Sequence, residues 1–489
     1  MKLLALISGN YKSAHRLRWW AIGLGLIPLL LIVLPNHLLY KTAALDLGMF
    51  NHALFDFRSG RINYFITGAR GLEINYFGDH FSPITALYSP LSWVFGHWTL
   101  LIVQLLSWAV GYWFLDRLAL LYSRTTAFRI FLATLWWGSF AVWNAFSFDF
   151  HNNVVAAALM PILLYFFYTD NKRYWLIFAL LLMAKENTAI WVGAFSFVLM
   201  LDHWRAPKGR VALWSLLFSL GYFLLVMGLI MPSFKVEGMH QQLDRFGLMG
   251  GSVTEILQTL ITRPLYALQL LWTNGESTVI NPIKSEFYIA LLFSGGYVTL
   301  RKPRVLIILL ALLVQKMWSS DSGLWGLNAH YSIEFVPTLA WAFVAAKPLF
   351  KKGASAAIGL AAVAVLFVNV NSIYKRSSVM YRQDKLDIFG AQHYRADINL
   401  EEVREMYTHI PKDAVISCTT NHIPRLAFRK RIYHYPHVKD ATYIVLFTKV
   451  RGAWPLNKEK LAKSIDQHMA EGWTVEFQGE ETLLLKHPE

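Results

Sequence analysis

The sequence predicts an α-helical membrane protein of about eleven helices followed by a small α/β domain. Three observations lead to this fold class. The chain of 489 residues is 55% hydrophobic and 15% aromatic, with a mean hydropathy of +0.37. Apolar runs recur from Trp19 to Asn371, and many contain the roughly 20 residues that a helix needs to cross a bilayer. From about Lys375 the composition changes to that of a soluble domain.

The charge balance does not indicate nucleic-acid binding, although the formal net charge is +15. Much of the Lys and Arg lies between the apolar runs, where basic residues orient helices and meet anionic lipid head groups. Cys418 is the one cysteine, which excludes an intramolecular disulfide and a cysteine-based metal cluster. The first apolar run, Trp19 to Leu39, exceeds a signal-peptide core and lacks a small-residue cleavage site, so we interpret it as a retained anchor.

The basic residues predict how the chain enters the membrane. Four of them precede the first span: Lys2, Lys12, Arg16 and Arg18. The positive-inside rule therefore places the N-terminus in the cytoplasm and the segment 41–98 on the outer side. The length of this segment and its acidic and histidine residues make it the strongest functional indication in the chain. Spans follow over Thr99–Leu121 and Phe128–Ala145, and a fourth ends before Lys172.

The stretch from Tyr174 to Leu201 is predicted to be a helical hairpin. Basic segments flank it on both sides, so both of its ends are predicted to lie on the inner side of the membrane. A single helix that crosses the membrane would put its two ends on opposite sides. Two short helices, Tyr174–Ala184 and Thr188–Leu201, return the chain to the inner side, with Lys185, Glu186 and Asn187 at the tip. Each arm rises about 18 Å, which carries these polar residues past the middle of the membrane. Charges at that depth require a polar cavity, and we expect one that opens to the outer face.

The remaining spans bring the predicted count to about eleven helices. They are predicted over Val211–Met231, Glu286–Leu300, Val305–Trp318, His330–Ala346 and Ala356–Val370. A second long outer segment, residues 232–285, contains an amphipathic piece from Val253 to Ile261. We therefore predict a transmembrane module over residues 1–374 and an extracytoplasmic α/β domain over residues 375–489.

The predicted α/β domain shows short strand-like runs and one helical pattern. The strands are predicted at Ala414–Cys418, Arg431–Tyr435, Tyr443–Phe447, Trp473–Phe477 and Thr482–Leu485. The helix is predicted over Leu461–Met469. The domain has no glycine-rich phosphate loop.

Asp46 is the candidate catalytic residue. It stands at the start of an apolar stripe with the spacing of a short interfacial helix: Leu47, Phe50, Leu54 and Phe57. One interpretation makes Asp46 an N-cap that accepts hydrogen bonds from free backbone N–H groups. The other makes it a general base that takes a proton from a hydroxyl close to the membrane, since partial desolvation raises the pKa of a carboxylate.

Two acidic–histidine pairs follow in the predicted outer segments. Asp79 and His80 are adjacent, and Asp149 and His151 are two residues apart. Together they offer the oxygen and nitrogen ligands of a hard-cation site, which makes a divalent cation a candidate cofactor. They also suit hydrogen-bonded anchors of the loops, and their spacing is far less specific than that of a zinc motif.

Several basic residues are candidates for binding a phosphate. Lys185 and Glu186 either form a buried ion pair at the hairpin tip, or Lys185 neutralises a phosphate presented from the lipid layer. Four further candidates lie in or beside outer segments: Arg245, Arg263, His330 and Tyr331. Arginine suits this task because its fork donates two parallel hydrogen bonds. Each basic residue alone is also consistent with a solvated or interfacial charge.

Six patches of the chain resemble an uncharacterised prokaryotic family of membrane proteins. They are Tyr40 to Phe50, Gly78 to Pro83, Asp149-Phe150-His151, Lys185-Glu186-Asn187, His330-Tyr331 through Pro337, and Ile410-Pro411 to Tyr435-Pro436. That family is similar to the glycosyltransferase C (GT-C) superfamily, which includes protein mannosyltransferases, oligosaccharyltransferases and the lipid A aminoarabinose transferase. The resemblance covers most of the chain, although no single motif is long.

The superfamily resemblance implies a sugar donor on a polyprenyl phosphate or diphosphate and a cavity on the outer face. It also implies an acidic residue early in the first outer loop, which Asp46 matches. Many members have a second acidic pair, whereas here Asp79 is followed by His80 and Asp149 precedes His151 by two residues; Asn187 stands where the nearer, uncharacterised family has an acidic residue. Asp46 would then activate an acceptor hydroxyl of a lipid, glycan or protein, and Lys185 would stabilise the departing lipid phosphate.

Two other classes of function compete with a transferase. A transporter or flippase would also place Lys185 and Glu186 within the membrane, but the chain shows no paired inverted halves. A membrane scaffold would depend on residues 375–489 and not on Asp46 or Asp79. For the transferase we expect a location in the plasma membrane of a prokaryote, with its active face outside the cytoplasm.

Overall fold

A computed structural model describes residues 2–66, 71–234, 236, 242–274, 281–346, 354–377, 382–449 and 454–488. The helices are α1 (Lys2–Leu38), α2 (Met49–Phe57), α3 (Tyr76–Asp79), α4 (Ile84–Tyr88), α5 (Ser92–Phe95), α6 (Thr99–Leu121), α7 (Thr126–Gly138), α8 (Phe140–Ser147), α9 (Asn152–Tyr168), α10 (Tyr174–Ala184), α11 (Thr188–Asp202), α12 (Pro207–Leu225), α13 (Met231–Ser233), α14 (Val253–Thr262), α15 (Pro264–Gln269), α16 (Asn281–Phe293), α17 (Val305–Met317), α18 (Phe335–Ala345), α19 (Ala354–Tyr374), α20 (Leu400–Thr408), α21 (Ile423–Leu426) and α22 (Lys458–Ala470). The strands are β1 (Tyr64–Ile66), β2 (Glu73–Asn75), β3 (Ile416–Cys418), β4 (Ile432–His434), β5 (Tyr443–Phe447), β6 (Thr474–Gln478) and β7 (Thr482–Lys486).

Several helices have the length and composition of membrane spans. Among the described residues, four helical stretches are long and apolar enough to cross a membrane: Ser13–Leu38, Ile84–Leu121, Pro207–Ser233 and Ala356–Tyr374. Five shorter apolar helices accompany them: α9, α10, α11, α17 and α18. The prediction of a helical membrane protein with a small C-terminal sheet is confirmed. The count of eleven membrane helices and their orientation remain predictions.

Most of the predicted element bounds agree with the structure, and three need correction. The predicted span Phe128–Ala145 consists of two helices, because Ser139 is extended (φ −68°, ψ 142°) and caps Ala141 N–H with its hydroxyl. The predicted span His330–Ala346 begins as turns, and its helix starts only at Phe335. The helix predicted over Glu286–Leu300 begins at Asn281 and ends at Phe293, and a separate 3₁₀ turn covers Gly296–Leu300.

The helical hairpin is present, with α10 and α11 as its two arms. The start of α10 and the end of α11 lie together, because the Phe167 ring is 5.8 Å from Tyr174 and 5.5 Å from His203. The Lys208 ammonium also donates to the Tyr168 carbonyl at 2.9 Å, which joins the next helix to this end. The tip therefore lies at the other end of the bundle, which we call the loop side because it carries the segment 41–98.

Close packing of apolar helices holds the bundle together. At Gly111, α6 approaches α9 so closely that a Cβ atom would lie 2.7 Å from the Ala158 carbonyl oxygen. The rings of Trp108 and Trp136 stack with centroids 4.0 Å apart, and each indole N–H donates to the backbone carbonyl of the other residue. These contacts satisfy buried polar groups without water, as a helix bundle in lipid requires.

A single sheet joins the segment 41–98 to the C-terminal residues. Its strand order is β2-β1-β4-β3-β5-β7-β6. Strands β4, β3 and β5 are parallel, β7 and β6 are antiparallel additions, and β1 pairs in parallel with β4 at Ile66 and Tyr433. The predicted tail strands are present, but the two strands of segment 41–98 were not predicted. The tail is therefore fastened to the loop side of the bundle by backbone hydrogen bonds.

Candidate functional site

Asp46 is held in an unusual backbone conformation between α1 and α2. It lies in the turn Ala44–Gly48 with φ +82° and ψ −101°, a combination that L-residues seldom adopt. Such strain persists only where neighbouring structure fixes it, and it is concentrated at functional sites.

The tail supplies the contacts that fix this turn. Thr420 Oγ1 accepts from the Ala44 N–H at 3.1 Å, and Asn421 donates to the Thr42 carbonyl at 2.8 Å. A Cβ on Gly48 would lie only 2.7 Å from Ile423, so a glycine is required for α21 to pack this closely. The backbone of the Asp46 turn is therefore built partly from residues that lie more than 370 positions away.

The interpretation of Asp46 as an N-cap is wrong. The N-cap of α2 is Gly48, and no side chain among the described residues makes a capping hydrogen bond there. The Asp46 carboxylate instead lies with Oδ1 3.7 Å from Nε2 of His151. Its side chain is 28% exposed, so the group remains reachable from the space beside it.

Asp149, by contrast, is an anchor whose two carboxylate oxygens are both occupied. Oδ1 accepts from the Lys385 ammonium at 2.8 Å, and Oδ2 accepts from the Ala43 N–H at 2.8 Å. The side chains of Asp149 and Lys385 are 5% and 10% exposed. This buried ion pair joins the segment between α8 and α9 to the tail and to the Asp46 turn.

Gln104 and the Asp149 anchor together position His151. Gln104, wholly buried on α6, accepts from the His151 N–H at 3.0 Å and donates to the Asp149 carbonyl at 3.1 Å. The His151 ring stacks on His330 with centroids 3.3 Å apart. Within the described structure, Nε2 of His151 and both ring nitrogens of His330 are buried and have no hydrogen-bond partner.

These surroundings change the pKa values of Asp46 and His151. Burial, and next the Asp149 carboxylate, raise the pKa of Asp46 from 3.8 to about 7, while Lys185 opposes the shift. Burial, and next the Lys185 ammonium, hold the pKa of His151 well below its usual range. Near neutral pH the site therefore combines a neutral imidazole with a carboxyl group that is close to half-ionised.

The other acidic–histidine pair contacts the hairpin tip. His80 Nδ1 lies 3.4 Å from Glu186 Oε1, and the Phe81 N–H donates to Glu186 Oε2 at 3.1 Å. Asp79 lies 3.9 Å from the other ring nitrogen of His80. Glu186 is only 3% exposed and fastens the segment 41–98 to the hairpin.

The proposed metal ligands therefore do not converge. Asp149 binds Lys385, His80 contacts Glu186, and His151 faces Asp46. In the described part of the chain, no group of three His, Cys, Asp or Glu residues has an arrangement that could hold a metal ion.

A cavity of about 290 Å³ lies at the hairpin tip. Lys185, Glu186, Arg245 and Tyr331 line its polar end, and Arg245 lies beside the Tyr331 hydroxyl. Apolar residues line the rest, among them Phe223, Met227, Val253, Ile256, Leu257 and Leu312. The Lys185 ammonium makes no hydrogen bond to the described residues, and both Lys185 and Tyr331 interact electrostatically with Asp46. Asp46 therefore lies beside the polar end of this cavity.

Three further polar residues at the cavity were not singled out from the sequence. Asn153 donates to Glu334, and the Lys316 ammonium donates to the Tyr331 carbonyl at 2.7 Å and to Ser332 Oγ at 3.0 Å. Lys316 and Glu334 are charged residues inside predicted spans, a signal that would have identified them. Arg263 is exposed between α14 and α15 and does not belong to the residues that line this cavity.

The fold and the site define a class of protein. Several apolar helices are long enough to cross a membrane, and a cavity that is charged at one end and apolar along the rest lies among the helices, so this is a helical membrane protein. The chain belongs to the family described as "Predicted membrane protein (DUF2079)", which it matches over residues 36–484. A search of curated proteins finds no match.

Proposed function

We propose that this protein is a membrane glycosyltransferase that moves a sugar from a polyprenyl-phosphate-linked donor to an acceptor hydroxyl on the outer face of the membrane. The observation that carries the proposal is the position of Asp46, a carboxyl group with a pKa of about 7, beside the cationic end of an otherwise apolar cavity. A general base is most effective when its pKa lies near the working pH.

The cavity has the chemistry that a lipid-linked phosphate requires. Lys185 and Arg245 offer positive charge at the polar end, and the guanidinium suits the oxygens of a phosphate. The apolar lining from Phe223 to Leu257 suits an isoprenoid chain. The Lys185 ammonium makes no hydrogen bond to the described residues, so its three N–H donors are available to a ligand.

The proposed reaction is a direct displacement at the anomeric carbon. Asp46 takes the proton of the acceptor hydroxyl, whose oxygen forms the new glycosidic bond as the bond from the anomeric carbon to the phosphate oxygen breaks. The phosphate leaves with the electron pair, and Lys185 and Arg245 stabilise the charge that develops on it. The neutral His151 beside Asp46 does not compete for this proton, because its pKa is well below the usual range.

The hairpin favours a site that is reached from one side, as a transferase needs. At the end of the hairpin away from the cavity, Phe167, Tyr168 and His203 pack ring against ring. A transporter would have to expose Glu186 alternately on both sides. Labelling of a cysteine at position 186 from both sides would contradict the transferase.

The proposal is tested by mass spectrometry of lipid-linked sugars and surface glycans in cells with the gene deleted, intact or carrying Asp46→Asn. Asparagine keeps the size of the side chain and tolerates a positive φ, so the turn is expected to fold. We expect one glycan to be lost and its polyprenyl-linked donor to accumulate in both altered strains, with transfer reduced about 10²- to 10⁴-fold by Asp46→Asn.

Asp170→Asn is the matched control. Asp170 is an exposed carboxylate that pairs with Lys208 at the end of the bundle away from the cavity. This variant should retain the glycan of the intact strain. A normal glycan profile in the Asp46→Asn strain would remove Asp46 from the role of base. If deletion changed only the distribution of lipids, the flippase would replace the transferase.

A further inference from the structure

Helix α14 has two clearly different sides. With a rotation of about 100° per residue, Val253, Ile256, Leu257, Leu260 and Ile261 fall on one side of the helix. Thr254, Glu255, Gln258 and Thr262 fall on the other side. The helix is therefore amphipathic along its whole length.

Only half of this apolar side is covered by protein. Ile256 and Leu260 pack against a small core of Met249, Ala267 and Leu270. Val253, Leu257 and Ile261 are 46%, 54% and 80% exposed. Nothing in the described part of the chain covers this second half.

The uncovered surface continues into α15 and beyond. Leu265 is 80% exposed, and Leu268 and Trp272 are 52% and 53% exposed. Leu265 and Leu268 are three residues apart and therefore lie on one face of α15, which follows α14 directly after the non-helical Arg263. A contiguous apolar surface of this kind marks an interaction site.

The same helix borders the cavity. Val253, Ile256 and Leu257 line it together with Met227 and Leu312, and Val253 and Leu257 also belong to the exposed half of the apolar side of α14. Leu224 and Leu229, near Met227, are each 65% exposed on a stretch that is long and apolar enough to span a membrane. The cavity is therefore separated from the surrounding lipid by little more than the side chains of these segments.

Charge complementarity identifies the partner as a lipid surface. Arg263 is exposed between Ile261 and Leu265, so a cation stands next to two of the most exposed apolar residues in the segment. This arrangement suits the boundary of a bilayer, where the aliphatic side chains enter the acyl region and the guanidinium reaches the phosphates. A bilayer would cover both this surface and the nearby apolar spans, whereas a protein partner would cover this surface alone.

We propose that α14 and α15 lie in the plane of the outer leaflet, with Val253, Leu257, Ile261 and Leu265 among the acyl chains. Arg263 contacts the lipid phosphates. The cavity opens to the membrane beside α14, and the isoprenoid chain of the donor comes in sideways past Leu257 and Met227. This last step rests on the function proposed above, whereas the position of the helices does not.

Spin labelling tests the position of the helices. The one native cysteine, Cys418, is buried, so a Cys418→Ser chain gives a clean background for a nitroxide at Ile261→Cys, Leu265→Cys or Gln258→Cys. The protein is placed in vesicles of equal parts phosphatidylcholine and phosphatidylglycerol, and collisions with oxygen and with a water-soluble nickel chelate are measured. We expect several-fold more oxygen than nickel contact at positions 261 and 265, and the reverse at position 258.

Two results would overturn the proposed position. Nickel contact that exceeds oxygen contact at positions 261 and 265 would place this face in water. Labels there that are shielded from both reagents would instead indicate a second protein copy or another partner. The measurement does not depend on transfer, so the same accessibility in the Asp46→Asn chain separates this inference from the proposed function.

Cross-linking tests the sideways path. A polyprenyl phosphate with a photoreactive group in its tail is added to the same vesicles, and adducts are mapped by mass spectrometry. We expect them on peptides that contain Leu257 or Met227, and at least a several-fold loss of these adducts with Lys185→Gln and Arg245→Gln combined. Adducts only elsewhere, or none, would overturn the path while leaving the spin-label result intact.

Discussion

The two acidic–histidine pairs look alike in the sequence and have opposite roles in the structure. In the pair Asp149 and His151, the carboxylate is the anchor, bound by Lys385 and the Ala43 N–H, and the imidazole faces the site. In the pair Asp79 and His80, the histidine contacts Glu186 at the hairpin tip. The difference shows that residue type alone does not separate a structural group from one that is available for chemistry.

The partners of each pair explain this difference. Asp149 forms a buried ion pair with Lys385 of the tail. His80 meets a carboxylate that the hairpin carries into the bundle. The segment between α8 and α9 is thus held by the carboxylate of Asp149, and the segment 41–98 is held by the imidazole of His80. Both arrangements leave the space around Asp46 and Lys185 for a ligand.

Breaking the Asp149 anchor is expected to have the largest effect. Asp149→Ala leaves the buried Lys385 ammonium without its carboxylate and removes the acceptor of the Ala43 N–H, so we expect a loss of about 3–5 kcal/mol in the free energy of unfolding. Intrinsic tryptophan fluorescence during thermal unfolding in detergent measures this loss. The variant should also lose transfer, because the Asp46 turn is no longer fixed.

The double variant Asp149→Asn with Lys385→Met is the control for this prediction. It removes both charges and keeps an amide at position 149 that is able to accept from the Ala43 N–H, so it should recover part of the lost stability. If the double variant were less stable than Asp149→Ala, the ion pair would not be the cause of the loss.

The sequence was sufficient to predict the helices and the tail, but not how they meet. Apolar runs and basic flanks gave the hairpin arms α10 and α11, and short strand-like runs gave β5 and β7, because these signals are local. Strands β1 and β2 have only three residues each and pair with one another, and β1 also pairs with β4, which lies more than 350 residues further along the chain. No local pattern carries that information.

The candidate site shows the same difference between what local sequence signals predict and what long-range contacts determine. Asp46, Lys185 and Tyr331 were identified as single residues, and the structure brings them together at one end of a cavity. Lys385 was missed because a lysine in a charged tail has no local signal of burial. The N-cap interpretation of Asp46 failed for a related reason, since the Asp46 turn is shaped by Thr420 and Ile423 of the tail rather than by α2.

A change of pH is expected to have an effect of intermediate size on stability and transfer, through the ionisation of Asp46. Because the folded protein raises the pKa of Asp46 to about 7, the folded state binds a proton that the unfolded state has already released between about pH 4 and 7. Stability relative to Asp46→Asn is therefore greatest below pH 4 and falls as the pH rises, by at most about 1.4 kcal/mol per pH unit. Transfer should show the opposite trend and rise through pH 7, since the base must be ionised.

Melting temperatures of the intact and Asp46→Asn chains across pH 4 to 8 measure the first trend, and transfer rates measure the second. The stability difference should fall from about pH 4 and level off near pH 7, where the transfer rate reaches half of its maximum, because the ionisation of folded Asp46 sets both points. A difference in melting temperature that stays constant over this range would show that Asp46 keeps an ordinary pKa.

Substitution of His151 or His80 is expected to have the smallest effect. Comparison of the two variants tests whether the two acidic–histidine pairs differ in their influence on Asp46. In His151→Gln, the amide N–H₂ is able to donate to the Asp46 carboxylate, which the imidazole at 3.7 Å does not do, and a hydrogen bond to the charged form lowers its pKa. We expect the midpoint of the pH–rate profile to move down by about half a unit to one unit. His80→Gln, whose imidazole contacts Glu186 instead, should leave this midpoint unchanged and cost about 1 kcal/mol of stability. Equal midpoints in the two variants would mean that His151 has no influence on Asp46, and that the two pairs differ only in how they fasten the loops.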